Sequence, residues 1–488
     1  MSKYKHGIAT SRTKTQMVKP TMCTNMIQVV VGTAPVNTLA DPASAVNKPI
    51  LLTDGDLVAD QIGTTTEMER YTIEHAVYAS FEKHHVAPIV VINVLDPANA
   101  NHVEAVAAKE YTISNKMVKI EDTGILRDKV VVTNNSTECK DDVDYVTSFD
   151  SNGYLVIGII DDGALASAQK INVTYAKLKP EGVTAEDIIG GVDVDGKRTG
   201  LELLDEIYPD TGIIPKIALA PRYSAEKTVA VALKAKVEKI YGMYNAIAFV
   251  DMDSSSSGAD VYTKVKKTKE DNVPVSRRII PFWPCVKAEG YVLSFSAFAA
   301  ALLQKITVEN ADIPSESIDN RELLIDGICL ENGSKVNMTQ DEVNDYLNAY
   351  GVVGALKLPE WKAWGNNTSA YPDSEDPIDR WIKCVTMLDY LENKFKSDYL
   401  SKISRNASYK LIESIVSEFN MSLNSLVPDY MAGGEIVFDR KLNPITNIMA
   451  GHLKFQTRYA DYVPAEYVEN EFSYDVNILE NSLEGGEA

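Results

Sequence analysis

From Met26 the chain reads "MIQVVVGTAPV", a short β-branched run stopped by Gly32 and Pro35, the pattern of a buried strand. A helical pattern follows in "MERYTIEHAVYASFEKHH", then a second buried run, "APIVVINVLDP", from Ala87 to Pro97. Strand, helix, strand in that order predicts a βαβ unit and an α/β layer architecture. Between about Val106 and Gly182 the pattern changes to short alternating segments, including "VKIEDTG", "KVVVTNN", "YLVIGIIDDG" and "KINVTYAKLKP", separated by turn residues. These predict an all-β module. Helix and strand then alternate again in "TGLELLDEIYPD", "PKIALAP", "AEKTVAVALKAKVEKIYG" and "NAIAFVDMD". The β module is therefore read as an insertion into one α/β unit, entered and left through surface loops.

The last third carries the most regular helical pattern. In "DPIDRWIKCVTMLDYLENKFKSDYL", Trp381, Val385, Leu388, Leu391, Phe395 and Tyr399 share one face, with Asp376 as N-cap and Pro377 at the first helical position. "LIESIVSEFNMSLNSLV" predicts another helix, followed by "GEIVFDRKLNP" and by a strand in which Leu453, Phe455, Thr457 and Tyr459 alternate with polar residues. Near the end, "EFSYDVNIL" places Phe472, Tyr474, Val476 and Ile478 on one face and polar residues on the other, predicting a half-buried strand in need of a sheet to join. Residues 1 to about 25 are polar and Thr and Lys rich, and read as an arm.

Composition narrows the function. The 488 residues suggest about three folded units at roughly 150 residues each. With 45% hydrophobic and 24% charged residues, the chain has the makeup of a globular protein. Its net charge of -21 and the absence of a basic cluster argue against nucleic acid as a partner. The longest uncharged apolar stretch, "YVLSFSAFAAALLQ", is 14 residues, short of the roughly 18 that span a bilayer, so no membrane insertion is expected. Cys23, Cys139, Cys285, Cys329 and Cys384 are scattered and form no C-x-x-C pair; they are expected to be reduced thiols of a protein made in a cytoplasm.

Enzyme motifs are incomplete. Gly191, Gly196 and Lys197 fit G-x-x-x-x-G-K, but Arg198 stands where a magnesium-binding hydroxyl is needed, and Asp193 and Asp195 add negative charge to a loop meant for phosphates. The same aspartates lack the other ligands of an EF-hand. Asp251 and Asp253 have the D-x-D spacing of haloacid-dehalogenase-type phosphatases, without a convincing later lysine and acidic pair; this leaves a cytoplasmic phosphatase-like enzyme as the alternative reading. Adjacent His84 and His85 form no catalytic or zinc spacing, and "SFSAF" lacks the glycines of a nucleophile elbow. No catalytic, cofactor-binding or metal-binding residue is assigned.

The stretch "EWKAWGNNTSAYPDSEDPIDRW", Glu360 to Trp381, holds three of the four tryptophans. Trp361 and Trp364 read as neighbours on a helical turn, and Gly365, Asn366 and Asn367 as a break tolerating positive φ. Packing at a domain junction is the favoured reading, with sugar stacking as its rival. The segment resembles the junction motif of contractile phage tail sheath proteins, a family shared by phage tails and R-type bacteriocins: Trp364, Gly365, Asn366, Asn367 and Thr368, then Arg380 and Trp381 in a following helix. "YKHGIATSRTKT" to "VVVGTAPV", "NKPILLTDGDLVADQIG", "DGKRTGLELLDEIYPDTGIIPKIALAP" and "GHLKFQTRYADYVPAEYVENEFSYDV" extend the resemblance along the chain except the β insertion.

Together with the β domain (106–182) that the residue pattern reads as an insertion, that resemblance implies a multi-domain α/β (α+β) subunit: an N-terminal arm (1–25), a discontinuous core (26–105 and 183–360), a C-terminal tube-facing domain (361–465) and a C-terminal arm (466–488). It implies a non-enzymatic, cofactor-free part that polymerises around an inner tube, contacts baseplate and terminator proteins, and contracts to drive the tube through a cell envelope. The arms, with Tyr4, Ile8 and Thr10 at one end and Phe472, Tyr474, Val476 and Ile478 at the other, are expected to add strands beside Leu453, Phe455, Thr457 and Tyr459 of neighbours. Lys394, Lys396, Lys402 and Arg405 are tube-facing candidates, with a solvated helix face as the equal alternative.

Overall fold

Every residue of Gln28–Gly32, Ile89–Asn93, Ile217–Leu219, Ile247–Asp251 and Ile279–Phe282 is buried. Strands without a solvent face belong inside a parallel sheet covered by helices. The computed structural model, which describes residues 19–135 and 137–483, arranges them that way. The order is Ile279–Phe282, Ile247–Asp251, Ile217–Leu219, Gln28–Gly32 and Ile89–Asn93, all parallel, with Pro49–Leu52 antiparallel at the last edge. The apolar stretch Tyr291–Gln304 runs through the short strand Tyr291–Leu293 into the helix Phe295–Glu309, which is buried along nearly all its length. Among the described residues no helix is long and apolar enough to cross a membrane.

The alternating segments form two small sheets. One has three strands, Met117–Ile120, Leu155–Ile159 and Tyr145–Phe149; the other has four, running from Val103–Thr112 through Lys170–Leu178 and Val131–Asn134 to Thr137–Glu138. They enclose their own buried cluster, including Ile120, Val132, Leu155, Ile157 and Val173. The two ends of this segment meet: the Lys179 N–H donates to the His102 carbonyl at 2.8 Å, and Val103 pairs with Leu178.

A third cluster, around Met387, Leu391, Phe419, Leu423 and Met431, lies under the helices Ile382–Tyr399 and Tyr409–Asn424 and a two-stranded sheet of Gly433–Val437 with Gln456–Ala460. The helix Ile382–Tyr399 belongs to two cores at once. Ile382 and Val385 are part of the main core, while Met387 and Leu391 are part of the third cluster.

Four sequence expectations need correction. Trp361–Trp364 is a strand paired antiparallel with Gly354–Lys357, since the backbone of this stretch finds its hydrogen bonds in a hairpin. The helix expected from Asp376 is broken at Trp381 into Pro377–Arg380 and Ile382–Tyr399, because Trp381 adopts extended dihedrals. The strand expected from Leu453 to Tyr459 spans Gln456–Ala460, with Thr457 exposed. The strand expected at the C-terminus is absent: 461–475 has no regular structure and Val476–Leu483 is a helix. A lone strand has no partner for its backbone, whereas a helix satisfies its own. Of the segment read as an N-terminal arm, Thr21–Met22 already pairs with Val86–Ala87, and the Thr24 N–H donates to the Asp312 carboxylate at 3.1 Å. Tyr4, Ile8 and Thr10 lie outside the described residues.

Candidate assembly surface

The WGNNT segment is a knot between chain parts far apart in sequence. Gly365 has φ +132°, and a side chain there would press on Asn348 and the Val352–Val353 backbone, so glycine is needed for both conformation and space. Its N–H donates to Asp319 Oδ1 at 2.8 Å. Asn366 Oδ1 accepts from Ser317 Oγ at 2.7 Å, and the Asn366 carbonyl accepts from the Ile382 N–H at 3.0 Å. Thr368, fully buried, donates its hydroxyl to the Asp379 carbonyl at 2.6 Å and its N–H to the Arg380 carbonyl at 2.8 Å. Buried polar groups survive only when bonded, so this density of partners holds core and helix in one geometry.

Arg380 is the centre of the knot. Its guanidinium lies 4.3 Å from the Tyr371 ring centre and 4.0 Å from that of Trp381, and its Nε–H donates to Asn367 Oδ1 at 2.7 Å. Only a planar fork can stack and donate in this way. Trp381 is 8% exposed. Trp361 and Trp364, three apart on a strand, point to opposite faces and donate their indole N–H groups to the Asp326 carbonyl and to Asn344. The tryptophans therefore present no common stacking platform for a sugar.

Further along, the junction helix is stitched to the core by polar pairs. Asp389 forms a buried ion pair with Arg278, and Asn245 and Asn393 exchange backbone and side-chain hydrogen bonds at 2.9 and 2.8 Å. Burial pushes the Asp389 carboxyl above the usual carboxylate range, against the pull of Arg278.

Beside this helix runs a groove of about 490 Å³, lined by Leu388, Leu391, Phe395, Phe419, Phe455 and Tyr459. It lies along the strand Gln456–Ala460, whose only partner among the described residues is Gly433–Val437, so the sheet has unpaired outer edges. The expected acceptor positions are thus brought together: Leu453, Phe455, Thr457 and Tyr459 all line the groove. The expected arm residues Phe472, Tyr474, Val476 and Ile478 are exposed by 56% or more and touch none of it. Exposed large apolar side chains in one segment are a mark of an unfilled contact.

Each basic candidate has a partner within the chain. Lys394 pairs with Asp398 at 2.9 Å, and Lys402 with Glu418 at 2.6 Å. Lys396 donates to Asn245 Oδ1 at 3.1 Å, and Arg405 Nε–H to the Ser401 carbonyl at 3.2 Å. Missed in the sequence were the groove wall residue Phe419 and the acidic partners Asp461 and Glu466, described below. Phe419 carried a helical-periodicity signal, but Glu466 lies 86 residues from Arg380, with no spacing rule to join them.

The enzyme-like motifs resolve into turns and caps. Asp193 accepts from the N–H groups of Asp195 and Lys197 at 2.9 and 2.8 Å within a hairpin. Asp251 is buried and accepts from the Arg222 N–H, the Ser296 N–H and the Ser296 hydroxyl, while Asp253 accepts from the Ser255 N–H and the Ser257 hydroxyl. No group of His, Cys, Asp and Glu among the described residues is arranged to hold a metal.

No family model matches the chain. It is 25% identical over 512 aligned residues to the tail sheath protein of Burkholderia phage BcepMu, covering 99% of both chains. It is 24% identical to the tail sheath protein of Escherichia phage P2, over 59% of this chain and 69% of that one. Among solved structures it resembles a chain of the anti-feeding prophage baseplate, with a TM-score of 0.61 at 13% identity over 96% and 98% of the two chains. It also resembles the contracted anti-feeding prophage sheath, with a TM-score of 0.56 at 14% identity over 97% and 100%. The chain is thus similar from end to end to a phage tail sheath protein, and it shares its fold with chains of contractile injection systems.

Proposed function

We propose that the chain polymerises as a helical sleeve around an inner tail tube, bounded by baseplate and terminator proteins, and contracts to drive the tube through a target cell envelope. It assembles in a bacterial host cytoplasm and leaves as part of a phage tail or tail-like particle. The single observation that carries the reading is the unpaired two-stranded sheet with an apolar groove alongside, in the same chain as a terminal segment whose large apolar side chains are exposed.

Phe472, Tyr474, Val476 and Ile478 of one subunit dock beside Leu453, Phe455, Thr457 and Tyr459 of the next, and residues 4 to 14, with Tyr4, Ile8 and Thr10, form the second arm. The helix Val476–Leu483 has eight residues, too short to be stable alone, so its conversion to strand on docking costs little. Each strand hydrogen bond contributes roughly 1 kcal/mol net against about 1 to 2 kcal/mol per residue ordered. One docked arm is therefore marginal. A closed mesh makes later contacts intramolecular and raises their effective concentration. During contraction the subunit cores move as rigid bodies while the arms keep the mesh connected.

The C-terminal domain faces the tube in this reading, with Lys394, Lys396, Lys402 and Arg405 near an acidic surface. Reversing Lys402 and Arg405 to Glu is expected to weaken binding to purified tube by tenfold or more at low salt and by less at high salt; unchanged binding discards that orientation. Negative-stain microscopy across a concentration series tests the whole reading. Striated tubes or stacked rings are expected, and isolated subunits at every concentration, even with purified tube added, contradict it.

A further inference from the structure

The stretch 461–466 is held across the start of the junction helix at two points. Glu466 accepts from Arg380 Nη2 at 3.0 Å, the same Arg380 that stacks on Tyr371 and Trp381 and bonds Asn367. Asp461 Oδ1 accepts from Lys383 Nζ at 2.9 Å, in a pair whose side chains are 6% and 10% exposed, and the Lys383 ammonium also donates to the Tyr462 carbonyl. The two basic residues lie three apart across the break at Trp381, and the two acidic ones five apart on the extended chain. Beyond the second pair every described residue is exposed, with Tyr467 at 81% and Phe472 at 89%.

We propose that Arg380 and Lys383 are positioning residues that clamp the root of the C-terminal arm onto the WGNNT knot, so that the movable arm begins at Tyr467. The inference rests on the sheath reading for its purpose and on geometry alone for the clamp. An arm that pivoted at Ala460 would also have residues 461–466 free, and a longer tether lowers the effective concentration of its tip at a fixed neighbouring site. Clamping that stretch shortens the tether and sets its direction. Because the anchor is the residue that ties core to C-terminal domain, the direction of the arm follows the orientation of that junction.

Chymotrypsin digestion of the unassembled full chain, read by mass spectrometry, tests the clamp without requiring tubes. Cleavage needs several residues of free backbone, so clamped residues resist. In the wild type, cuts are expected after Tyr467, Phe472 and Tyr474 but not after Tyr462. In the double variant Asp461→Asn, Glu466→Gln, cleavage after Tyr462 is expected to rise at least tenfold and tube yield to fall at least fivefold. The matched variant Glu469→Gln, Glu471→Gln changes the charge equally outside the clamp and is expected to behave as wild type in both assays. Should the first variant fail to fold, Glu466→Gln alone gives the same reading. Equal cutting after Tyr462 and Tyr467 in the wild type overturns the proposal, as does a folded clamp variant that resists and assembles like wild type. Failure of the wild type itself to form tubes strikes the sheath reading and leaves the cleavage map to decide the clamp.

Discussion

Glu74 is buried in the helix Thr72–Val77, and burial, with the Glu82 charge behind it, pushes its carboxyl from an ordinary 4.5 up to about 7. Below the unfolded value the group is protonated in both states and costs nothing. As pH rises toward 7 the unfolded chain ionises first and gains stability relative to the fold, and above 7 the penalty is constant, roughly 3 kcal/mol at most. Glu74→Gln should therefore match wild type at pH 4 and exceed its thermal midpoint by several degrees at pH 8; a pH-independent difference would contradict this. His84 acts in the opposite sense, since burial and then Lys305 push it down to about 3, so its contribution is lost as pH falls from 6.5 toward 3. Arg380 offers a second check at this scale. Arg380→Lys keeps the charge but loses the stacking and the fork, and is expected to cost about 1–3 kcal/mol in chemical denaturation; a change within about 0.5 kcal/mol would mean that charge alone suffices.

At the scale of elements, the helix Ile382–Tyr399 is the shared wall of two cores, and its outer half depends on aromatic packing. Phe395 stands 5.2 Å from Phe419 and 4.9 Å from Tyr399, ring centre to ring centre. Phe419→Ala is expected to cost about 3–5 kcal/mol and to loosen the C-terminal unit before the main sheet, as hydrogen exchange would resolve. Uniform loss of protection across the chain would instead mean that the two cores unfold together. The buried strands of the main sheet were legible because a strand covered on both faces must be continuously apolar, as in Gln28–Gly32 and Ile89–Asn93. Trp361 and Trp364 were misread because a spacing of three suits one helical face, while the competing signal, "GALK" before the turn "LPE", points to a hairpin. At the C-terminus, alternation through Phe472, Tyr474, Val476 and Ile478 coexists with Val476, Leu479 and Leu483 at helical spacing. Which pattern wins depends on whether a sheet is present, and a chain by itself does not specify its neighbour.

For the whole molecule, the fold leaves an open edge: among the described residues the sheet Gly433–Val437/Gln456–Ala460 has no third strand, an apolar groove runs beside it, and the segment after Glu466 is exposed. The junction motif was legible as a junction because WGNNT combines a positive-φ glycine with amides and aromatic residues. Its long-range partners Ser317, Asp319 and Glu466 were not, because contacts made by folding leave no local spacing. Arm exchange between subunits requires that the body fold without the arm and that the lattice fail without it. Full-length chain and a truncation lacking residues 466–488 should be compared by negative-stain electron microscopy at matched concentrations, with thermal unfolding of each recorded alongside. Tubes are expected from the full chain and only dispersed, cooperatively folding subunits from the truncation; normal tubes from the truncated chain would rule out arm exchange as the source of the lattice.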